Sequence, residues 1–374
     1  MMGYENLPEL GVESDGYVTS FDLDDTEELL SFFVTYGFVV IRDVLSSEEC
    51  DVSCDEVWSS LLQMASGTIK RDDPLTWGEC NWPQGICRNG GFMGKFPYFG
   101  RMESLKETLL ANQPQAWRNR QNPRLWAAFA TVMGTRELYA SIDRYGIMRP
   151  TLRSDSEDWR TGSDWLHWDL SPFHFGTSAA GFGPRKVDRG ELRREYGGLR
   201  VQGMINLTDC PTSVGGFHCV PGFQKHFFEW RDANMEGYGG REDIKRRNFV
   251  EVPQEDAMRR HVKKVPMPRG SLLIWNSQLP HGNFPNSSND FRMVQYIKMI
   301  PRNDPREFEP AMTCARFHES DWFPKEPDAE GFTPSKLGRC LFGLDDWDSY
   351  NEDGPDAQTA LTDMKSSHGS SPHY

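Results

Sequence analysis

The sequence predicts a mostly β fold with flanking helices. Short apolar or alternating runs, which are typical of strands, recur along the chain at 38–41, 201–207, 272–275 and 292–299. Helical patterns accompany them at 24–36, 46–61 and 122–134. A chain of 374 residues with 37% hydrophobic content can enclose one large core, so we expect both kinds of element in one domain.

The N-terminal elements can be followed one by one. The pattern over 24–36 predicts an amphipathic helix, and Gly37 ends it. The run Phe38-Val-Val-Ile41 then predicts a strand. Ser46-Ser-Glu-Glu49 is a capping-box pattern, which predicts that a second helix begins there. The apolar stripes of both helices are core positions rather than ligand sites.

We expect a single domain over residues 1–349. Its β core is predicted at about 135–302 and its helical N-terminal layer at about 22–66, from the positions of the strand and helix patterns. The stretch 350–374 is acidic, rich in serine and aperiodic, which predicts a disordered tail.

Three further stretches have no regular period. The charged stretches 182–198 and 231–264 are expected to be exposed insertions. The stretch 67–102, rich in glycine and aromatic residues, fits either an ordered loop over a site or a structural wrap.

Composition limits the kinds of binding partner and the cellular compartment that we expect. A net charge of −14 argues against a nucleic-acid-binding surface and against an anionic membrane surface. The N-terminus lacks the basic and apolar segments of a secretory signal, and the 8 cysteines are scattered without Cys-x-x-Cys pairs. We therefore expect a cytoplasmic protein with reduced thiols. The oligomeric state is not predicted.

The triplet His167-Trp168-Asp169 is the first candidate metal site. On a strand, residues i and i+2 point to the same face, so His167 and Asp169 can reach one ion while Trp168 points away. With 9 His and 55 acidic residues, about one such triplet is expected by chance, so the pattern alone is weak. A lone histidine is more often a structural residue than a ligand.

His281 and Arg292 complete the candidate site. Gly270 marks a turn, 272–275 reads as a buried strand, and His281 is expected on the bend that follows. Arg292 begins a further predicted strand, where its guanidinium could hold a carboxylate through two parallel hydrogen bonds. Two histidines and one carboxylate on one face of an ion form the facial triad of non-haem iron oxygenases.

The motifs around these residues resemble those of the phytanoyl-CoA dioxygenase family, a branch of the Fe(II)/2-oxoglutarate-dependent oxygenases. The resemblance covers about residues 15–347 and rests on the order of four blocks: His167-Trp-Asp169, Leu207-Thr-Asp209, Gly215-Gly…Val220-Pro-Gly-Phe, and His281-Gly282…Asn286…Arg292. It implies a distorted double-stranded β-helix, a jelly-roll or cupin-like barrel. Phe223 and Gln224 depart from the Ser-His that usually follows Pro-Gly.

The resemblance also implies the chemistry. His167, Asp169 and His281 would be both the metal ligands and the catalytic residues, with Fe(II) as metal, 2-oxoglutarate as cosubstrate and O2 as oxidant. Arg292 would bind the far carboxylate of 2-oxoglutarate. Asn283, which stands where several relatives carry Ser or Thr, would be a second cosubstrate contact.

Two substrate contacts and two alternative functions remain open. Arg149, upstream of the triplet, and Gln202, on the inner face predicted for 201–207, are candidate substrate contacts. Each could equally be a polar residue at a surface or a sheet edge. The protein could also be a catalytically silent relative that senses a metal or metabolite, or a cupin-like metalloenzyme that does not use 2-oxoglutarate.

Overall fold

The computed structural model describes residues 4, 6–78, 80–83, 114–141, 145–150, 165–169, 171–174, 200–245, 247, 249–302 and 332–350. The predicted tail after residue 350, the charged stretch 182–198 and residues 84–102 of the predicted loop lie outside these ranges.

Two five-stranded antiparallel sheets form the centre of the described fold. The described strands are β1 Phe38–Ile41, β2 Leu138–Ala140, β3 Tyr145–Met148, β4 His167–Trp168, β5 Val201–Asn206, β6 Gly216–Cys219, β7 Val250–Glu251, β8 Lys263–Lys264, β9 Leu272–Asn276, β10 His281–Phe284, β11 Arg292–Tyr296 and β12 Met299–Pro301. The major sheet has the order β1-β9-β5-β11-β3, the minor sheet has the order β7-β4-β10-β6-β8, and β12 pairs with β2.

This strand order is that of a jelly roll. The chain crosses between the sheets from β3 to β4, from β4 to β5 and from β5 to β6, and again from β8 through β9 and β10 to β11. As a result, strands that are distant in sequence become neighbours within each sheet. The predicted fold class, a mostly β double-stranded β-helix with flanking helices, is confirmed. In the described residues the two sheets face each other and do not close into a barrel.

Helices lie mainly against the major sheet. The described helices are α1 Thr26–Tyr36, α2 Ser47–Met64, α3 Pro114–Arg120, α4 Pro123–Met133, α5 Phe227–Asn234, α6 Glu242–Lys245 and α7 Lys336–Leu341. The capping box predicted for α2 is present, because the Ser46 side chain accepts from the Glu49 amide and the Glu49 side chain accepts from the Ser46 amide. Gly37 ends α1 at φ +78°, in the left-handed region that favours glycine.

The two faces of the major sheet belong to different apolar clusters. Side chains alternate along each strand, so Val39, Ile205 and Ile274 point outward and pack with the helices. Val40, Met204 and Leu273 point inward and pack with side chains of the minor sheet. The inner face predicted for Gln202, Met204 and Asn206 is therefore the face that looks into the space between the sheets.

One sequence prediction differs in detail from the fold. The run 292–299, predicted as one strand, is divided into β11, which ends at Tyr296, and β12, which begins at Met299 and pairs with β2 instead. Among the described helices, none is long and apolar enough to cross a membrane.

Candidate metal and cosubstrate site

The structure brings His167, Asp169 and His281 together in the space between the sheets. The two histidines face each other on adjacent antiparallel strands, since His281 of β10 is in register with His167 of β4. Asp169 follows β4 directly. The candidate ligand atoms of the three residues all lie within 4.8 Å of one another. His281 was expected on a bend, but it is the first residue of β10, and this placement fixes its backbone opposite the triplet.

Backbone carbonyls orient both imidazoles. Nδ1 of His167 lies 3.2 Å from the Trp165 carbonyl oxygen, and Nδ1 of His281 lies 3.0 Å from the Leu279 carbonyl oxygen. An Nδ1–H that donates to a carbonyl leaves Nε2 as the ligand atom. Both Nε2 atoms do point at the Asp169 carboxylate, at 3.2 Å for His167 and 3.5 Å for His281.

The electrostatics of Asp169 and His281 favour the protonation states in which these two side chains bind a metal ion. Burial alone would raise the pKa of Asp169, but His167 and His281 hold that pKa well below its ordinary value. Burial lowers the pKa of His281. A carboxylate and neutral imidazoles are the forms in which these side chains bind a metal ion, so the donor set fits a divalent cation such as Fe(II).

Gln202 touches the cluster directly. Its Nε2 donates a hydrogen bond of 2.5 Å to Oδ2 of Asp169, and its Oε1 is buried without a hydrogen-bond partner among the described residues. The sequence predicted that Gln202 contacts the substrate. The structure adds a contact between Gln202 and Asp169, a candidate metal ligand. The amide can orient the carboxylate while its oxygen remains open to a bound molecule.

Arg292 is a buried cation without an anionic partner in the described part of the chain. Its side chain is 1% exposed, and its two terminal nitrogens contact only sulfur atoms, that of Met148 at 3.8 Å and that of Met204 at 3.4 Å. Its Nε has no hydrogen-bond partner within the described ranges. A methyl group added to Gly216 would lie 3.1 Å from this nitrogen, so the missing side chain leaves room for the guanidinium.

The other predicted contacts are distributed differently. Asn283 lies on β10, two residues from His281 and therefore on the same inner face, and its Oδ1 is buried without a partner among the described residues. The Arg149 guanidinium donates to the Trp77 carbonyl at 2.8 Å and lies 4.4 Å from the centre of the Trp82 ring. These contacts direct Arg149 toward the N-terminal layer, so its substrate role stays a prediction.

Sequence reasoning missed two aromatic residues beside the cluster. The Trp165 ring stacks on His167 at 3.8 Å with an interplanar angle of 12°, and the Trp275 ring lies 5.3 Å from that of His281. Trp275 is in register with Gln202, and its Nε1 has no hydrogen-bond partner in the described ranges. The signal for Trp165 was its position two residues before His167, on the same face of the chain.

The sequence profile of the phytanoyl-CoA dioxygenase (PhyH) family matches residues 33–294. The chain belongs to the phytanoyl-CoA dioxygenase family. A Dictyostelium discoideum protein named "Putative phytanoyl-CoA dioxygenase" is 27% identical over 327 residues, which cover 78% of this chain and 85% of the relative. The Aspergillus versicolor "Ava biosynthesis cluster protein O" is 24% identical over 281 residues, or 71% of this chain and 75% of the relative.

One solved structure supports the fold over most of the chain. The Candida albicans protein GlcNAc Inducible Gene 2 (GIG2, DUF1479) superposes with a TM-score of 0.53 at 14% identity, and covers 94% of this chain and 86% of its own. At this identity the likeness concerns the fold alone. Membership of the phytanoyl-CoA dioxygenase family and the His-Asp-His cluster together support an Fe(II)/2-oxoglutarate oxygenase.

Proposed function

We propose that this member of the phytanoyl-CoA dioxygenase family is a dioxygenase that couples the oxidative decarboxylation of 2-oxoglutarate, to succinate and CO2, to C–H oxidation of a small-molecule metabolite. His167, Asp169 and His281 would hold Fe(II). We favour hydroxylation or desaturation over chlorination, because family halogenases replace the carboxylate that Asp169 retains. The Aspergillus relative is named for a biosynthesis cluster, which agrees with a metabolite substrate. A cytoplasmic location remains part of this proposal.

The observation that carries the proposal is the buried guanidinium of Arg292. A buried charge without a counter-charge costs several kcal/mol, on the order of the penalty for breaking a buried ion pair. An anion that enters the space between the sheets would remove that cost. Arginine binds a carboxylate through two parallel hydrogen bonds, so the anion most compatible with this group is a carboxylate.

The position of Arg292 relative to the metal cluster favours a dicarboxylate. Gly216 and Cys219 are three residues apart on β6. The Arg292 guanidinium lies beside Gly216, and His281 is in register with Cys219. Three residues along a strand span about 10 Å. A molecule such as 2-oxoglutarate, with one carboxylate at the metal and the other at Arg292, has the length and the charges for this gap. Asn283 lies between the two ends and can contribute a hydrogen bond.

The roles of the protein groups follow from this placement. When bound, Fe(II) and 2-oxoglutarate supply the oxidising chemistry with O2. His167, Asp169 and His281 would hold the metal ion. Gln202 orients the Asp169 carboxylate. The apolar inner face around Met204 excludes water, which strengthens the attraction between Arg292 and the cosubstrate.

The test is an anaerobic titration of the metal-free protein, first with Fe(II) and then with 2-oxoglutarate, followed by the visible charge-transfer band of the ternary complex. We expect a band that requires all three components. Arg292→Met should raise the 2-oxoglutarate concentration needed for the band by about 100-fold, as for loss of a buried charge-assisted contact. Iron affinity should stay unchanged, because Arg292 does not touch the cluster.

Arg120→Met is the matched control. Arg120 is also a buried arginine, 2% exposed, but it bonds to the carbonyls of Ala116 and Ser141 on the outer side of the major sheet. It should leave the band intact. Iron binding without any band would favour a cupin-like enzyme or a sensor that does not use 2-oxoglutarate. Equal loss of iron and 2-oxoglutarate in Arg292→Met would contradict the assigned role.

A further inference from the structure

Two exposed aromatic side chains lie at the rim of the metal cluster. Trp165, which stacks on His167, is 37% exposed, and Phe249 is 40% exposed. Their rings meet edge to face, with centroids 6.1 Å apart and an interplanar angle of 78°. Every other tryptophan in the described ranges is at most 8% exposed. Trp165 is thus the exception among the tryptophans, and it is the one that covers a candidate metal ligand.

A carboxylate lies beside this aromatic pair. Glu251, on the edge strand β7, is in register with His167, and cross-strand partners share one face of a sheet with their Cβ atoms about 5 Å apart. Its neighbours Val250 and Val252 are buried on the opposite face, at 0% and 1% exposure. Glu251 is half-buried and does not belong to the ligand cluster.

The Glu251 carboxylate has no counter-charge among the described residues. The backbone carbonyl of Glu251 accepts a hydrogen bond from the Tyr238 hydroxyl at 2.9 Å, but no described side chain bonds to its carboxylate. Among the described arginines around β7, Arg241 and Arg247 lie 2.9 Å and 3.8 Å from Asp243, and the Arg259 side chain donates to the backbone carbonyls of Val252 and Pro253. The rim therefore offers one available negative charge and two aromatic rings.

These groups together recognise one kind of ligand. A cationic nitrogen is attracted both to the face of a tryptophan ring and to a carboxylate, whereas an anion is repelled by Glu251. An aromatic ring of the ligand can pack against Phe249 in the edge-to-face arrangement already seen between Phe249 and Trp165. A net charge of −14 for the whole chain also favours the approach of cations.

We propose that the rim formed by Trp165, Phe249 and Glu251 binds the substrate, and that this substrate carries an aromatic ring and a basic nitrogen. The proposal rests on the proposed function, because it places this molecule at the open side of the metal cluster. The rim holds the cation and the ring, and so it determines which part of the substrate faces the metal. An anionic acyl thioester is excluded as the preferred substrate.

The experiment compares three indole probes that differ only in the charge of the side chain: tryptamine, tryptophol and indole-3-propionate. Binding to the full-length protein is measured by saturation-transfer NMR and calorimetry in EDTA, without iron or 2-oxoglutarate. We expect tryptamine to bind about 3- to 10-fold more tightly than tryptophol, the sum of an exposed cation–π contact and an exposed ion pair. Indole-3-propionate should bind more weakly than tryptophol.

Three variants test which side chains cause the preference for tryptamine. Glu251→Gln should reduce the preference for tryptamine over tryptophol to the part that the Trp165 ring supplies, about 2- to 5-fold, whereas Glu255→Gln, the same change at an exposed position nearby, should leave the full preference unchanged. Phe249→Ala should weaken tryptamine and tryptophol alike. Equal binding of tryptamine and indole-3-propionate, no binding of any probe, or an unchanged preference in Glu251→Gln overturns the proposal.

The outcome of the probe-binding experiment can be told apart from the outcome of the test of the proposed function. A charge-transfer band with 2-oxoglutarate but no preference for the cation would leave the oxygenase function in place and remove the assigned substrate class. A preference for tryptamine that depends on Glu251, without any band, would retain the binding rim and remove the 2-oxoglutarate chemistry.

Discussion

The two faces of the major sheet differ in how fully their buried polar side chains are hydrogen-bonded. On the outer face, Gln295 has both ends of its amide bonded, since it donates to the Ala116 carbonyl at 3.0 Å and accepts from Asn119 at 2.8 Å. On the inner face, Gln202 donates to Asp169, but its oxygen has no partner among the described residues. The arginines repeat the contrast. Arg120 on the outer side bonds to backbone carbonyls, whereas Arg292 on the inner face contacts two methionine sulfur atoms and no anion among the described residues.

This difference separates stability from function. A buried polar atom that lacks a hydrogen bond costs about 1–3 kcal/mol, so a face that only had to stabilise the fold would satisfy its polar atoms. The outer face does so with residues of α3. On the inner face, Gln202, Trp275 and Arg292 instead keep buried atoms that have no hydrogen-bond partner among the described residues. A ligand that binds between the sheets can satisfy them.

The largest expected effect is on the metal. His167→Ala removes one of three ligands, and we expect iron affinity to fall by more than about 100-fold, which is the upper range for losing only an outer-shell partner. The measurement is anaerobic Fe(II) binding by calorimetry. His226→Ala serves as control, because His226 lies outside the cluster and pairs with Glu229 at 3.7 Å. Iron affinity that survives His167→Ala would show that the inner face is not a metal site.

The sequence was sufficient to predict the fold class and to name the residues that meet at the cluster. His167 and Asp169 are separated by one residue, so strand alternation alone places them on one face. The register of His281 against His167 was not predictable, because pairing between distant strands depends on packing that no local pattern encodes. The order of the motifs and the family resemblance instead indicated that His281 joins His167 and Asp169 at one site.

The partners of individual polar residues were not predictable either. Alternation correctly turned Gln202 inward, but only the structure shows that its amide reaches Asp169. The sequence predicted that Arg292 binds the far carboxylate of 2-oxoglutarate and that Arg149 is a candidate substrate contact. Their strand positions separate them, since Met148 is in register with Arg292 and Arg149 is the next residue, so the two arginines leave the sheet on opposite faces.

The next prediction compares the two glutamines. Gln202→Leu should lower iron affinity by about 10- to 100-fold, because Asp169 loses the hydrogen bond that orients it. Gln295→Leu should leave iron affinity unchanged and reduce the free energy of unfolding by about 1–3 kcal/mol, because Asn119 and Ala116 lose their partner. Iron titrations and urea unfolding of both variants decide this. A loss of iron affinity in Gln295→Leu equal to that in Gln202→Leu would remove the contrast between the faces.

The smallest expected effect is also the one with the less intuitive sign. Without cosubstrate, Arg292→Met should raise the free energy of unfolding by about 1–3 kcal/mol, because a thioether replaces a buried charge that has no counter-charge. Saturating Fe(II) should stabilise both proteins equally, because Arg292 does not touch the metal cluster. Adding 2-oxoglutarate at 100 times its wild-type dissociation constant should then stabilise the wild-type protein by about 2.7 kcal/mol, but the variant, which binds it about 100-fold more weakly, by only about 0.4 kcal/mol. The stability advantage of the variant should therefore fall by about 2.3 kcal/mol. If Arg292→Met is already the less stable protein without ligands, the guanidinium is satisfied within the fold, and its burial does not indicate an anion-binding site on the inner face.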